Sequence, residues 1–276
     1  MPNKTTSALF DLTAEVAIVT GGQGQLGSEY VKTLAGAGAS VAIFDIAPRV
    51  RDSNQNLIDQ KWPVSTHVVD ILEKDQIAGA FDAVEKTFGT PTILINNAGL
   101  DSPPDASEKD NGPFETYPES SWDAVVNSHI KGAFLMSQEF IGRAKKAKKK
   151  ASIINVSSTY GLVSPDQSIY EFRRKNGASF YKPVAYSVAK SGILNLTRWL
   201  AEYGGPFGIR VNTLVPGGVF ANQDKEFIKE YSRRTMIGRM ANVDEYNGAI
   251  LFLASAKASA YMTGSMLVID GGWTAK

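Results

Sequence analysis

Tyr186 and Lys190 stand four residues apart in the string YSVAK, and on a helix that spacing puts both side chains on one face. A phenol beside an ammonium can give a proton to a substrate oxygen and take it back. An ammonium about 4 Å from a phenolate, at an effective dielectric of about 20, interacts with it by about 4 kcal/mol. That is enough to draw the phenol from a pKa of about 10 toward neutrality, where general acid–base catalysis operates. The 10 tyrosines and 19 lysines of the chain would give about 0.7 such pairs by chance, so the pair gains meaning from its company. Upstream, NVSS ends an apolar run with two hydroxyls, Ser157 and Ser158. Near the start, VTGGQGQLG places Gly22, Gly24 and Gly27 in a G-x-G-x-x-G string between an apolar run and a helical stretch. Such a turn lets backbone approach a pyrophosphate at a helix N-terminus. Asp45 ends the next apolar run, where a carboxylate accepts hydrogen bonds from an adenosine ribose and repels a 2′-phosphate. NAD is therefore expected rather than NADP, with Arg49 and Arg51 close enough to reach a phosphate from a loop.

Composition narrows the field. The chain has 276 residues with Lys and Arg exceeding Asp and Glu by 29 − 28 = 1, so no global field steers it onto nucleic acid or an acidic membrane. It has no cysteine, which removes thiol nucleophiles, disulfides and sulfur-ligated zinc. Its two histidines, His67 and His129, show no H-E-x-x-H spacing, and no G-x-S-x-G string occurs. Metallohydrolase and serine hydrolase chemistry lose their usual carriers, and no metal site is expected. No apolar run approaches the ~18 residues of a membrane span, and the first residues lack a signal-peptide pattern, so a cytoplasmic protein is expected.

The elements that must position these residues alternate in type. Apolar, β-branched runs at 15–20, 40–45, 64–70, 92–96, 152–157, 209–215 and 266–270 read as strands, most of them buried on both faces. Helical patterns lie at 25–37, 73–88, 118–146, 184–203 and 243–255. In the fourth helix Ala185, Val188, Ala189, Gly192, Leu196, Trp199 and Tyr203 form one face, expected to pack on the sheet or on another helix. The alternation predicts an α/β fold, a doubly wound parallel sheet of about seven strands in a single domain, with its core at about 10–273. Stretches 99–117, 160–182 and 216–236 fit neither pattern and rise from the carboxyl edge of the sheet, where such folds bind ligands. The basic run from Arg143 to Lys150 reads as a solvated helix end.

Taken together, TGGQGQLG, Asp45, VVDI, INNAG at 95–99, Asn127 in VVNSHIKG, NVSS, YSVAK, VPGGV at 215–219 and LVIDGGW resemble the compact short-chain dehydrogenases/reductases. The likeness covers roughly residues 10–273. It implies a Rossmann-type fold and an NAD(P)-dependent oxidoreductase that interconverts a secondary alcohol and a ketone. By resemblance, Tyr186 is the acid/base, Lys190 lowers its pKa and holds the nicotinamide ribose, Ser158 polarises the substrate oxygen, and Asn127 supports a water in the proton relay. The implied cofactor set is Gly21, Gln23, Gly24, Gln25, Leu26 and Gly27, then Asp45 and Ile46. Asp70 and Ile71 would meet the adenine, Asn97, Ala98 and Gly99 the adenosine ribose, and Pro216, Gly217, Gly218 and Val219 the nicotinamide. A homo-oligomer, tetramer or dimer, is implied, and the looser likeness to members associated with sugar and surface-glycan metabolism implies a polar, carbohydrate-like small-molecule substrate.

Two departures bear on function. The glycine string reads T-G-x-x-G-x-x-G, with Gln25 where compact members have their middle glycine, as in the larger sugar-nucleotide epimerases and dehydratases of the superfamily. A redox-neutral enzyme that retains its NAD, or a non-catalytic NAD-binding regulator, is the alternative. The second departure is the 27 residues between Ser158 and Tyr186, longer than the family's usual spacing. Tyr170, Phe172, Arg173, Arg174, Lys175, Phe180 and Tyr181 in that insertion suggest a lid for an anionic or polyhydroxylated substrate.

Overall fold

The computed structural model describes residues 6–101 and 108–276, so residues 102–107 of the first unassigned stretch lie outside the described residues. Seven strands form one parallel sheet: β1 Val16–Thr20, β2 Ser40–Asp45, β3 Val64–Val68, β4 Ile93–Asn96, β5 Ala151–Val156, β6 Ile209–Pro216 and β7 Met266–Ile269. Their order is β3-β2-β1-β4-β5-β6-β7, so the chain winds outward from β1 and then returns to β1's other side at β4. That reversal opens a crevice at the carboxyl ends of β1 and β4, the place where open α/β sheets bind ligands.

The helices among the described residues are α1 Thr6–Leu9, α2 Gln25–Gly36, α3 Asp52–Asp59, α4 Lys74–Phe88, α5 Glu119–Val126, α6 Gly132–Lys146, α7 Glu171–Lys175, α8 Val184–Gly204, α9 Lys225–Arg234 and α10 Asn247–Ala254. Successive strand residues go to opposite faces, and both faces are covered. Ala17, Val19, Val41 and Ile43 pack with Tyr30 and Leu34 of α2 and Ile250 and Leu253 of α10. Ile18, Ala42, Phe44 and Leu94 pack on the other face with Phe81 of α4, Phe140 of α6 and Leu200 of α8. This double burial is why the strands read as unbroken apolar runs.

Three expectations are corrected. The helix foreseen over 118–146 is split by a π-helical turn, Asn127–Lys131, between α5 and α6. Gly132 follows that turn because Ile71 lies against it: a Cβ there would stand 2.3 Å from the Ile71 Cδ1. Second, the face read on α8 holds only in part. Ala185 and Ala189 are buried and Leu196 packs with Leu200 and Ala201 against the sheet, but Val188, Trp199 and Tyr203 are exposed. The helix carries two apolar stripes, and period alone does not say which one meets the sheet. Third, the basic run is not wholly solvated. Arg143 is largely buried and paired with Asp82, Glu85 and Glu139. Lys145 lies over the Tyr203 and Phe207 rings. Helices α1, α3, α7 and α9 are short and lie outside the expected helical patterns; α9 is amphipathic but polar on the whole and buries only Tyr231. No helix among the described residues is long and apolar enough to cross a membrane.

Candidate active site

The turn after β1 is built by close backbone packing. A Cβ on Gly27 would stand 2.1 Å from the Gly21 carbonyl, so only glycine lets α2 start this close to the strand. Buried Asn54 of α3 donates to the Gly22 carbonyl and to Gln23 Oε1, fixing the turn from outside. Asn97 reaches across from β4 and donates to the carbonyls of Thr20 and Gly21. Asp45 accepts from the backbone N–H groups of Gln23 and Ala47, both at 2.9 Å, which holds its carboxylate at the end of β2.

These groups line a groove of about 520 Å3 that gathers Gly21, Gln23, Gly24, Asp45, Ile46, Asp70, Ile71, Asn97, Ala98 and Gly99. Gly24 begins α2 with no side-chain cap, so the first N–H groups of the helix have no side-chain acceptor and suit an anion. The glycine cradle, these donors and the Asp45 carboxylate fit a dinucleotide. Arg51 hydrogen-bonds Gln23 through its backbone N–H and its guanidinium, and Arg49 pairs with Asp52 at the surface.

A second cavity, of about 280 Å3, shares Asn97 with the groove and is lined by Ser158, Tyr186, Lys190, Leu26 and the segment Pro216–Val219. A buried polar chain sets α8 against the sheet. Asn96 donates to Asn155, and the Thr197 hydroxyl accepts from both Asn155 and Thr213. Ser157 donates to the Lys190 carbonyl at 2.7 Å, and Ser191 donates to the Gly161 carbonyl at 2.9 Å. The Ser157 hydroxyl is therefore engaged with the helix, whereas Ser158 lines the cavity with Tyr186 and its hydroxyl accepts from the Tyr160 N–H at 3.2 Å. Lys190 Nζ donates to the Val156 carbonyl at 2.9 Å and lies 5.7 Å from the Tyr186 ring centroid.

The electrostatics differ from the sequence reading. Burial pushes the Tyr186 phenol above its ordinary range, with the Ser158 hydroxyl opposing. Burial also lowers Lys190 to about 7, with the Asp101 charge opposing and the Lys182 charge reinforcing. In the protein alone, desolvation outweighs the phenolate–ammonium attraction expected from the spacing.

Not every expected residue reaches the site. Gln25 lines neither cavity; its side chain donates to the Phe220 carbonyl. Gly27 serves helix packing. Asn127 lines neither cavity, and its side chain makes no hydrogen bond among the described residues. The residue of that turn that does reach Tyr186 is His129, with ring centroids 5.7 Å apart. Its Nε2 lies 2.9 Å from the Leu100 carbonyl, an acceptor, so this nitrogen carries the proton. Burial, then the Lys190 charge, lowers the pKa of His129 well below the ordinary imidazole value, so the ring is neutral. In the insertion, Arg174 donates to the carbonyls of Gln167 and Phe180, Arg173 lies over the Phe180 ring, and Lys175 pairs with Glu171. None of these three cations lines the cavity; Lys182 does. Spacing held one signal for it, since Lys182, Tyr186 and Lys190 recur every four residues.

The family model described as enoyl-(acyl carrier protein) reductase matches residues 23–274. The gluconate 5-dehydrogenase of Gluconobacter oxydans is 30% identical, over 96% of this chain and 97% of its own. Among solved structures, a short-chain dehydrogenase from Leptospira borgpetersenii with bound NAD+ is 35% identical with a TM-score of 0.84, covering 99% of this chain and 97% of its own. A gluconate 5-dehydrogenase from Burkholderia cenocepacia in complex with NADP and tartrate is 25% identical with a TM-score of 0.84, covering 99% of this chain and 100% of its own. With the sheet order, the glycine turn and the Ser158–Tyr186–Lys190 cluster, these likenesses make the chain an oxidoreductase of the short-chain dehydrogenase/reductase family.

Proposed function

We propose that this chain is an NAD-dependent oxidoreductase that interconverts a secondary alcohol and a ketone on a polar, carbohydrate-like substrate, with Tyr186 as its acid/base. The observation that carries this reading is the junction of the two cavities at Asn97, which sets the Tyr186 phenol at the end of a groove fitted to a dinucleotide. The nicotinamide supplies or accepts the hydride when the cofactor is bound. Asp45 would hold the adenosine ribose, and the uncapped N-terminus of α2 would hold the pyrophosphate. Ser158 holds the substrate oxygen while Tyr186 takes the alcohol's proton during oxidation or returns it during reduction. Lys190 stabilises the phenolate that forms and would hold the nicotinamide ribose.

The preference for NAD rests on Asp45, because related structures include one with NAD+ and one with NADP. A simple dehydrogenase is favoured over a redox-neutral sugar-nucleotide enzyme by the likeness to the gluconate 5-dehydrogenase of Gluconobacter oxydans. The reading includes a homo-oligomer, dimer or tetramer, supported by exposed Phe134, Trp199, Tyr203 and Phe207 and by exposed Met266 and Val268 on edge strand β7.

The test is NADH formation from a panel of polyols, sugar acids and simple secondary alcohols. Tyr186→Phe is expected to lower kcat by about 10²–10⁴-fold while NAD binding persists. Full activity in that variant overturns the assignment, and bound NAD without net turnover on any alcohol favours the redox-neutral alternative.

A further inference from the structure

The wall of the cavity around Tyr186 carries two charged side chains, Lys182 and Lys190, and no carboxylate. Lys190 is engaged with the Val156 carbonyl and serves the phenol. Lys182 has no such duty. It is the last residue of the insertion, and its Nζ lies 4.4 Å from the Tyr186 ring centroid. Gln167, also from the insertion, holds its backbone at both ends: Lys182 N donates to Gln167 Oε1 at 2.9 Å, and Gln167 Nε2 donates to the Lys182 carbonyl at 3.3 Å. The Lys182 side chain is only 12% exposed, whereas its ion-pair partner Asp101 is 60% exposed and lies outside the cavity wall.

A shielded cation paired with a solvent-screened carboxylate can change partner at little cost, because the exposed carboxylate is readily rehydrated. The rest of the wall is rich in hydroxyl and amide groups, among them Ser158, Thr159, Tyr160 and Gln223. The buried Tyr160 hydroxyl has no well-formed hydrogen bond, with the Tyr170 hydroxyl within reach. Such a wall offers one cation and several uncharged donors and acceptors. Its volume of about 280 Å3 suits a small acid and lies just below the ~300–1,000 Å3 of drug-sized sites.

We propose that the substrate is a polyhydroxy carboxylate, and that Lys182 binds its carboxylate in exchange for Asp101 while Ser158 and Tyr186 take the reacting oxygen. This rests on the oxidoreductase reading above and adds the charge of the substrate to it. The insertion then serves specificity: it delivers one lysine, held by Gln167, to the side of Tyr186.

The experiment is calorimetric titration of the NAD-loaded protein with D-gluconate, D-galactonate and tartrate, each beside a neutral counterpart such as D-sorbitol, with NADH formation followed in parallel. At least one acid is expected to bind about 10- to 100-fold more tightly than its counterpart. Lys182→Met removes that advantage, and Lys182→Arg keeps most of it. The proposal is overturned if no acid outbinds its neutral partner, or if the advantage survives Lys182→Met. Binding that depends on Lys182 but yields no NADH from any acid or alcohol leaves the carboxylate site standing and removes the alcohol-to-ketone reading of the proposed function instead. NADH from neutral alcohols without any preference for acids does the reverse.

Discussion

The imidazole of His129 stands edge-on to the phenol of Tyr186, with ring centroids 5.7 Å apart and planes at 81°. Its Nε2–H is tied to the Leu100 carbonyl, so the ring is a fixed, neutral wall for the phenol. His129→Ala is expected to lower kcat about 10- to 100-fold through misplacement of Tyr186, with NAD affinity nearly unchanged. His129→Asn, whose amide can donate to Leu100, is expected to restore part of the loss. Steady-state kinetics on both variants, with melting curves to show that they fold, decide the matter; equal loss in both would reduce His129 to packing.

Gly99 is the other half of this contact. A Cβ there would stand 1.9 Å from the His129 Cε1, and the imidazole has no room to retreat. Gly99→Ala is expected to destabilise the protein by about 1–3 kcal/mol and to weaken NAD binding, since Gly99 also lines the groove. Urea denaturation and NAD titration measure the two effects.

Asp45 makes a cofactor prediction. Its carboxylate is held in place by Gln23 and Ala47, so a 2′-phosphate would meet a fixed like charge. Asp45→Ala is expected to raise kcat/KM for NADP relative to NAD by about tenfold or more. An unchanged ratio would move the source of selectivity elsewhere in the groove.

Lys190 couples stability to pH. Its pKa falls from 10.5 to about 7 in the folded protein, mainly through burial. Between those values the unfolded chain binds more protons than the folded one, so the stability of the cofactor-free protein rises with pH; below the lower value both forms are protonated and the penalty is constant. Raising the pH from about 7 to about 9 is expected to add about 1–3 kcal/mol in urea titrations, and Lys190→Met is expected to flatten that rise. Parallel curves for the two proteins would remove Lys190 as its source.

Much of this was legible because it rests on short-range rules. The β1 turn, Asp45 and the Tyr186–Lys190 pair follow from strand period, glycine spacing and the i, i+4 relation. What escaped depends on tertiary contact. The π turn at Asn127–Lys131 inserts one residue into the helical count, so the residue facing Tyr186 is not the one a regular helix would select. The turn brings His129 to the Tyr186 ring, a contact the helical period does not give. The phenol's environment was misjudged for a related reason: spacing gives the distance between charges, but desolvation depends on everything packed around them. The arginines of the insertion were the visible cations, yet backbone carbonyls and aromatic rings engage them, and Lys182 at the segment's end meets the site.

Arg234 joins distant parts of the chain. From α9 it hydrogen-bonds Asp166 and Ser168 of the insertion, while Tyr170 stacks on Phe227 and shares a small core with Tyr231 and Met240. The insertion and α9 are therefore packed as one unit. A chimera that transplants residues 160–182 into a relative without the matching α9 would carry Asp166 and Tyr170 into surroundings that no longer receive them, and Lys182 would lose its aim. Exchange of substrate preference between family members has to move both segments together.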